Sequence, residues 1–495
     1  MSLLVQRGIK SGRLKYLKRS QAREIHVASL EVLESVGMHC PSPRIMEVFE
    51  RGGASVDAKE RRVRIPQHLV EESLKKVPRE IVFCGRNRKN DILLEASRIY
   101  FGMGGTPVPF IRDVETGEIR RPGRKDMDEA TRVGDALPNL KFLMTCAGVF
   151  DVPYEVEYLH EFESLFNNTE KPILYAAPGA VASKHVLEMA ATIMGGAEAL
   201  RKRPILTLYA ETVSPLSFTE VNENIIEFAS AGIPVANGPM PLPGASGPMT
   251  LAGTAVMSNA ENLAALTLSQ LANPHAPFIY TGWVCAMDPR TSRCAYGSPD
   301  FARGTSIFNA AMGQFYDIPT YGFGGCSDSK LPDAQAGAEV MMNGMTAALS
   351  GTNLIHDCGY LAGGSIGSME MAVICDEIAG MIYRIASDVE VTDETMAVDV
   401  IKEIGPGGHF MSHKHTLQHV KDIYLHTLFD KESEVTWIKA GKKDIRDVAR
   451  QKVKTILKEH FPEPLSKDIQ EKVRQIVKNA EKQIIRSSPT PTAKH

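Results

Sequence analysis

The segment 322–339 is the most polar of the predicted strand ends, and several of its side chains could do chemistry. They are Cys326, Asp328, Lys330, Asp333 and Gln335. The pair Gly324-Gly325 permits a sharp turn that would present Cys326 to a pocket. A thiol there can be a nucleophile, a metal ligand or simple filler, and a nucleophile would need a base such as His356. Asp333 precedes a helical stretch, so we interpret it as an N-cap.

Histidines and cysteines in two other segments raise the question of a metal centre. His356 and Cys358 flank Asp357, and His409 and His413 are four residues apart after a glycine-rich stretch. No spacing matches a standard zinc pattern, and the eight cysteines contain no Cys-x-x-Cys pair. We therefore predict no tightly bound metal and expect the histidines to make polar contacts at a pocket rim.

Aromatic side chains cluster where strands are predicted to end. The set comprises Tyr100, Phe101, Tyr209, Tyr280, Trp283, Tyr321, Phe323 and Tyr360. Ring faces attract a cation that has no N–H donors, so rings around one mouth favour a quaternary ammonium ligand. Each ring taken alone is more simply explained as filling of the protein interior.

The elements that position these residues alternate regularly along the chain. Eight short apolar or aromatic runs are each followed by a segment of helical periodicity, and they lie at 98–103, 142–148, 172–177, 204–210, 233–238, 277–283, 318–323 and 353–358. Eight such units in about 300 residues favour a closed (β/α)8 TIM barrel over an open sheet. No Gly-x-Gly-x-x-Gly or Walker sequence supports a nucleotide-binding sheet. Barrel enzymes place their chemistry at the C-terminal ends of the strands, where the residues named above fall.

Length, composition and charge restrict the domain organisation, the partners and the cellular location that the sequence predicts. Within 495 residues we predict an N-terminal helical cap over 1–95, the barrel over 96–400 and a C-terminal loop and helical extension over 401–495. A formal charge of -3 argues against nucleic acid or an anionic membrane as partner. With no apolar run long enough to span a bilayer, no secretory signal and scattered cysteines, the sequence predicts a cytoplasmic protein. It leaves open whether the C-terminal helix packs on its own barrel or on a second subunit of a homo-oligomer.

The stretch Tyr-Gly-Phe-Gly-Gly-Cys-Ser-Asp-Ser-Lys-Leu-Pro-Asp-Ala-Gln-Ala-Gly-Ala-Glu-Val at 321–340 resembles the signature segment of the trimethylamine methyltransferase family. Resemblance over about residues 20–480 includes Ser214-Pro-Leu, Leu251-Ala-Gly-Thr, Asn259-Ala-Glu and Gln314-Phe-Tyr. It implies a barrel enzyme that moves a methyl group from an amine to the cobalt of a separate corrinoid protein.

One departure from the family pattern bears on the substrate. The archaeal trimethylamine enzymes carry pyrrolysine in this segment, and Cys326 holds that place here. A cysteine cannot supply the electrophilic imine of pyrrolysine, so we expect Cys326 not to be catalytic itself. Family members without pyrrolysine that have an assigned role use quaternary amines such as glycine betaine, proline betaine or carnitine. The resemblance thus implies a quaternary amine, with glycine betaine, giving dimethylglycine, as the first expectation.

The chemistry agrees with that expectation, because a quaternary ammonium is already activated for loss of a methyl group. The enzyme then has only to orient one methyl and hold the cation without over-stabilising it. We expect the cage to consist of Phe101, Trp283, Tyr321, Phe323 and Tyr360. Glu211 or Asp328 would add negative potential near the ammonium. Candidate donors for a betaine carboxylate are His356, His409, Lys330 and Gln335.

Two other functions stay open on the sequence. One is a zinc-dependent methyltransferase in which Cys326 or Cys358 binds the metal. The other is a barrel that binds a betaine or a corrinoid partner without turnover.

Overall fold

Eight parallel strands ring the centre of the computed structural model, which describes residues 5–487. They are β1 Arg98–Met103, β2 Leu140–Leu143, β3 Ile173–Ala176, β4 Leu206–Ala210, β5 Val235–Asn237, β6 Phe278–Ile279, β7 Tyr321–Phe323 and β8 Leu354–Cys358. Their order in the sheet is β6-β5-β4-β3-β2-β1-β8-β7. Tyr280 closes the ring between β6 and β7, because its N–H donates to Pro319 O at 2.8 Å and its O accepts from Tyr321 N at 3.0 Å. The predicted (β/α)8 barrel is confirmed, with all eight runs in strands.

A helical segment follows every strand and covers the outside of the barrel. The principal helices are α1 Arg124–Ala136, α2 Glu157–Asn168, α3 Gly179–Met194, α4 Glu223–Ala231, α5 Leu251–Ala272, α6 Asn309–Tyr316, α7 Ala334–Ser350 and α8 Met369–Ala386. A short helix, Ala197–Lys202, follows α3, and Pro299–Ala302 with the π-helical turn Arg303–Phe308 leads into α6. Helix α5 is buried along most of its length because N-terminal helices cover its outer side.

The N-terminal region combines helices with two small antiparallel sheets. Its helices are Arg19–Glu31, continued by the π-helical Val32–Val36, then Pro43–Arg51 and Gln67–Lys76. The sheets are formed by Met38–His39, Ser55–Asp57 and Arg62–Arg64, and by Ile81–Phe83 with Ile92–Leu94. A further strand, Ile9–Lys10, pairs antiparallel with β1. Strands this short carry little periodic signal, so the sequence alone predicts a mostly helical cap for this region.

The C-terminal region returns to the barrel surface. Helix Ile445–Glu459 contacts α8 and α1, whereas Lys467–Ser487 contacts α3 and α2 of the same chain. Between α8 and these helices lie the short helices Asp393–Met396, Val398–Ile404, Lys414–His419 and Glu434–Lys439. Among residues 5–487, no helix is both long and apolar enough to cross a membrane.

Small strands at the C-terminal face of the barrel order the loops around its mouth. The loops after β1 and β8 join in one four-stranded sheet made of Phe110–Arg112, Ile119–Arg120, Tyr360–Leu361 and Ile366–Gly367. After β6, Met287–Asp288 and Arg293–Cys294 form a hairpin. These loops narrow the mouth from two sides.

Candidate active site

A cavity of about 60 Å³ lies inside the barrel at the C-terminal ends of the strands, and we call it the aromatic cavity. Four tyrosines, a phenylalanine, a histidine and two carboxylic acids line it with a few small or apolar side chains. The lining residues are Thr106, Met144, Tyr209, Glu211, Met240, Tyr296, Tyr321, Phe323, His356, Asp357, Tyr360 and Gly364.

Alternation along the strands turns several rings inward together. Tyr321 and Phe323 are two residues apart on β7, and Phe323 is directly opposite His356 on β8. The imidazole of His356 lies 4.3 Å from the ring of Tyr321 and 4.4 Å from that of Phe323, between centroids. Tyr209 on β4 approaches Tyr321 edge-on at 5.8 Å. The result is a continuous aromatic wall, whose ring faces attract positive charge.

His356 and Asp357 form a buried pair at this wall. Nδ1 of His356 is 2.7 Å from the carbonyl oxygen of Gly322, and Nε2 is 3.2 Å from Oδ1 of Asp357. Because a carbonyl oxygen only accepts, Nδ1 carries the proton and donates it to Gly322. Burial lowers the pKa of His356 to about 3 and raises the pKa of Asp357 well above its ordinary value. Burial therefore disfavours the charged form of both side chains in the free protein.

The position of Asp357 depends on an unusual backbone conformation. Its φ is +72°, in the left-handed region that few residues other than glycine, Asn and Asp adopt. Gly105 makes room for the carboxyl group, since a Cβ at Gly105 would lie 2.6 Å from Oδ1 of Asp357. Strict alternation would turn Asp357 away from the barrel axis when His356 points inward. The left-handed turn instead brings both side chains to the cavity.

Glu211 supplies the second carboxylic acid, directly after β4. The hydroxyl of Tyr209 donates to its carboxylate, and Asn222 Nδ2 holds its backbone oxygen at 2.7 Å. Protein surrounds the carboxyl group on most sides, although water still reaches the side chain from the adjoining cleft. This partial desolvation raises the pKa of Glu211.

A larger cleft of about 690 Å³ adjoins the aromatic cavity and shares Thr106, Tyr209 and Glu211 with it. The ends of β3 and β4, the starts of α2 and α3, and Ile484 of the last helix line this cleft. We call it the acidic cleft because its walls carry Glu155, Glu157, Glu161 and Glu211. Burial raises the pKa of Glu161 to about 7.

Comparison with known proteins identifies what this barrel is. The family model described as trimethylamine methyltransferase (MTTB) matches residues 4–484. The chain belongs to this family.

Three relatives illustrate the breadth of the similarity. A trimethylamine methyltransferase MttB of Desulfitobacterium hafniense (strain DCB-2) is 38% identical, covering 92% of each chain. A glycine betaine methyltransferase of D. hafniense (strain Y51) is 32% identical over 94% of this chain and 97% of its own. A trimethylamine methyltransferase MttB of Methanosarcina barkeri (strain Fusaro) is 31% identical over 95% and 96%. The protein is thus a methyltransferase of the trimethylamine methyltransferase family.

Six of the residues singled out from the sequence line the aromatic cavity of this methyltransferase. They are Tyr209, Glu211, Tyr321, Phe323, His356 and Tyr360. Trp283 lies directly behind them, where it is fully buried and its indole stacks on His356 at 5.6 Å. Its Nε1–H donates to the backbone oxygen of Tyr321 at 2.7 Å, so Trp283 supports the wall from behind.

Phe101 lies outside the cavity, and this corrects its expected place in the cage. Its ring packs edge-on against Tyr383 of α8 at 5.5 Å, and its backbone N–H donates to the Tyr383 hydroxyl at 2.8 Å. On β1 the inward position falls to Gly102, whose missing side chain leaves room for the ring of Phe142.

Cys326, which we expect to correspond to the pyrrolysine of the archaeal family members, is buried beside the cavity. The backbone of Cys326 pairs with that of Tyr360 in an isolated parallel β-bridge. The Cys326 thiol is within 3.9 Å of the backbone oxygen of Ser327. Burial and the nearby Asp357 raise the pKa of the Cys326 thiol well above its ordinary value. A thiol that stays protonated is a poor nucleophile and a poor metal ligand.

The other polar residues of the signature segment organise the loop and do not reach the cavity. Asp328 accepts from the N–H groups of Tyr296 (3.3 Å) and Gly297 (2.8 Å), which fixes the loop that carries Tyr296. Lys330 donates to the backbone oxygen of Asp328 at 2.8 Å from an exposed position. Asp333 caps α7 by accepting from Ala336 N at 3.0 Å, as predicted.

Two further residues expected near the substrate also lie elsewhere. Gln335 is exposed on the first turn of α7 and donates to Glu339 at 2.8 Å. His409 is exposed in the loop between Val398–Ile404 and Lys414–His419. Both positions depend on loop paths that composition does not determine. Within the described residues, no group of three or more His, Cys, Asp or Glu side chains is arranged to hold a metal ion.

Proposed function

We propose that this methyltransferase moves a methyl group from a quaternary amine to the Co(I) of a corrinoid carried by a partner protein. The observation that carries the proposal is the aromatic cavity. Six rings and two carboxylic acids enclose a space suited to a small ammonium group. The names of two relatives, a trimethylamine and a glycine betaine methyltransferase, agree with a methylated amine as donor.

The step needs little from the protein beyond binding and orientation. Co(I) attacks the methyl carbon in line with the C–N bond, the bonding pair leaves with nitrogen, and the products are methyl-Co(III) and a neutral tertiary amine. The positive charge on nitrogen disappears as the bond breaks, so a cage that bound the cation too tightly would slow the reaction. A wall of rings provides moderate attraction, and burial raises the pKa of Asp357, so that a negative charge forms less readily beside the cation.

The cavity contains no electrophile that could form an adduct with a tertiary amine. Such an amine has a lone pair, so without an adduct its departure would require a proton, for which Asp357 and Glu211 are the acids that line the cavity. Cys326 occupies the position of the electrophilic pyrrolysine of the archaeal family members, and its buried thiol cannot form the same adduct. These features favour a quaternary donor, among which glycine betaine is the first that the family suggests.

The acidic cleft is the route by which we propose the corrinoid reaches the donor. It opens to solvent and meets the aromatic cavity at Thr106, Tyr209 and Glu211. A methyl group pointing from the cavity towards the cleft would face an incoming cobalt. The eight cysteines, all within the described residues and all unpaired, fit our proposal of a reducing, cytoplasmic setting.

The test is to follow the spectrum of Co(I) as it becomes methyl-Co(III), with enzyme, cognate corrinoid protein and a panel of methylated amines. We expect quaternary amines to react and trimethylamine not to. Turnover of trimethylamine would overturn the argument from Cys326. Failure of every donor with the cognate corrinoid protein, despite binding, would favour a barrel without catalysis. Stoichiometric zinc in active enzyme would favour the zinc-dependent alternative.

A further inference from the structure

We propose that the methyl donor of this enzyme is a cation that carries no carboxylate, an inference that rests on the proposed function. A tetraalkylammonium or a hydroxyalkyl-trimethylammonium would satisfy it. Among the described residues that line the aromatic cavity and the acidic cleft, none is Lys or Arg, whereas five are Asp or Glu. The five are Glu155, Glu157, Glu161, Glu211 and Asp357.

A second group of the substrate lies either in the aromatic cavity or past Thr106 and Glu211 in the acidic cleft. In both spaces the described charged side chains are acidic. A carboxylate in the cleft would enter a space that already holds four glutamates, which is unfavourable at any distance of a few ångströms.

The donors that the sequence predicts for a betaine carboxylate are occupied or remote. In His356, Nδ1–H is bound to the carbonyl of Gly322 and Nε2 faces Asp357, so neither nitrogen is available to donate to a carboxylate. Lys330 donates to the backbone oxygen of Asp328, and Gln335 pairs with Glu339, both outside the cavity. Among the described lining residues no cationic side chain is available to a carboxylate, and the donors that remain are neutral hydroxyls such as those of Thr106 and Tyr296.

Helix N-termini do not reverse this balance. The first turns of α2 and α4 carry acidic residues, Glu157 and Glu223, which offset their positive ends. Helix α3 has no acidic residue in its first turn, and its start contributes Val181 and Ala182 to the cleft. One helix end supplies about half a positive charge. That is small against the four glutamates of the cleft.

The charge states of the glutamates support the same conclusion. Burial and the neighbouring Glu157 raise the pKa of Glu161, and burial and the neighbouring Glu155 raise that of Glu157. Each ionised glutamate thus disfavours ionisation of the next, and with a pKa of about 7 Glu161 is partly protonated near neutral pH. A cation lowers these pKa values, a neutral hydroxyl leaves them unchanged, and a carboxylate raises them further.

The decisive experiment compares choline with glycine betaine, because the two differ only in a hydroxymethyl group against a carboxylate. With the cognate corrinoid protein as acceptor, we expect kcat/KM for choline or tetramethylammonium to exceed that for glycine betaine at least tenfold. Glycine betaine reacting equally well or better would overturn this inference and leave the proposed function intact. If no quaternary amine reacts, the proposed function itself fails.

A pair of charge variants tests the physical reason. Glu157→Gln removes one charge from the cleft at a half-buried position, whereas Glu188→Gln removes one from an exposed site on α3 that does not line it. We expect Glu157→Gln to lower the ratio of kcat/KM for choline to kcat/KM for glycine betaine by threefold or more. Glu188→Gln should leave this ratio within a factor of 1.5 of the wild-type value. An equal change in both variants, or none in Glu157→Gln, would contradict the electrostatic basis.

Discussion

Replacing Asp357 by Asn removes the buried carboxylic acid of the aromatic cavity with the least structural disturbance. Asn has nearly the same shape, and it is one of the few residues that tolerate a φ of +72°. Its amide takes the place of the carboxyl group, whose Oδ1 lies 3.2 Å from Nε2 of His356. The variant therefore changes mainly the ability of this position to become negative when a cation arrives.

The size of the effect follows from Coulomb's law. A cation centred in a cavity of about 60 Å³ would lie about 5 Å from the Asp357 carboxylate, and at an effective dielectric constant of about 20 their attraction is about 3 kcal/mol. Part of this is spent on ionising an acid whose pKa burial has raised. The Coulomb value is therefore an upper limit, and we expect Asp357→Asn to weaken binding by more than threefold and by at most about 150-fold, which corresponds to about 3 kcal/mol.

Titration calorimetry with tetramethylammonium, without a corrinoid acceptor, measures this affinity directly. Asp333→Asn is the matched control, because it removes a negative charge outside the cavity and Asn caps α7 as well as Asp does. Wild type should release protons on binding, seen as a buffer-dependent enthalpy, since the cation lowers the pKa of Asp357. Its affinity should accordingly rise with pH. An Asp357→Asn affinity within threefold of wild type, with unchanged proton release, would refute the reasoning.

Three further changes test other parts of the site. Phe323→Leu should weaken tetramethylammonium binding 5- to 30-fold, or about 1–2 kcal/mol. The control is Phe101→Leu, which removes an equally buried ring outside the cavity and should lower the unfolding temperature without changing that affinity. Equal losses of affinity in both variants would count against an aromatic cage. Cys326→Ser should retain kcat/KM within threefold because the buried thiol is protonated, and complete loss of methyl transfer would restore a chemical role for this thiol. Glu161→Gln should stabilise the protein increasingly between pH 5 and 8. The folded pKa of Glu161, about 7, exceeds its unfolded value, so the folded state holds the extra proton and its stability falls as pH rises through this window. The gain should reach about 2 kcal/mol in urea unfolding, and a pH-independent difference would contradict it.

The barrel could be predicted because its signals are local and repeated. Each strand is a short apolar run before a helix, and the N-cap at Asp333 lies at the boundary that the helical period sets. The positions of Tyr321 and Phe323 follow from the same logic, since alternate residues at the end of β7 share one face.

The parts that could not be predicted depend on non-local geometry. The side chain of Phe101 points out of the barrel, as does that of Met103, whose sulfur approaches Gly134 of α1. On a strand buried on both faces, no local sequence pattern distinguishes side chains that point inward from those that point outward. Asp357 reaches the cavity through a left-handed turn that Gly105 accommodates from another strand end. The proposed preference against a carboxylate likewise depends on the fold, which places Lys330 outside the site.

A crystal structure of the enzyme with tetramethylammonium, at a concentration that saturates binding in calorimetry, tests most directly whether the aromatic cavity is the donor site. We predict density for the cation among the rings of Tyr321 and Phe323, with Asp357 within about 5 Å of its nitrogen, at the separation used in the Coulomb estimate. An aromatic cavity that stays empty under these conditions, or a cation bound elsewhere on the barrel, would contradict the proposed site.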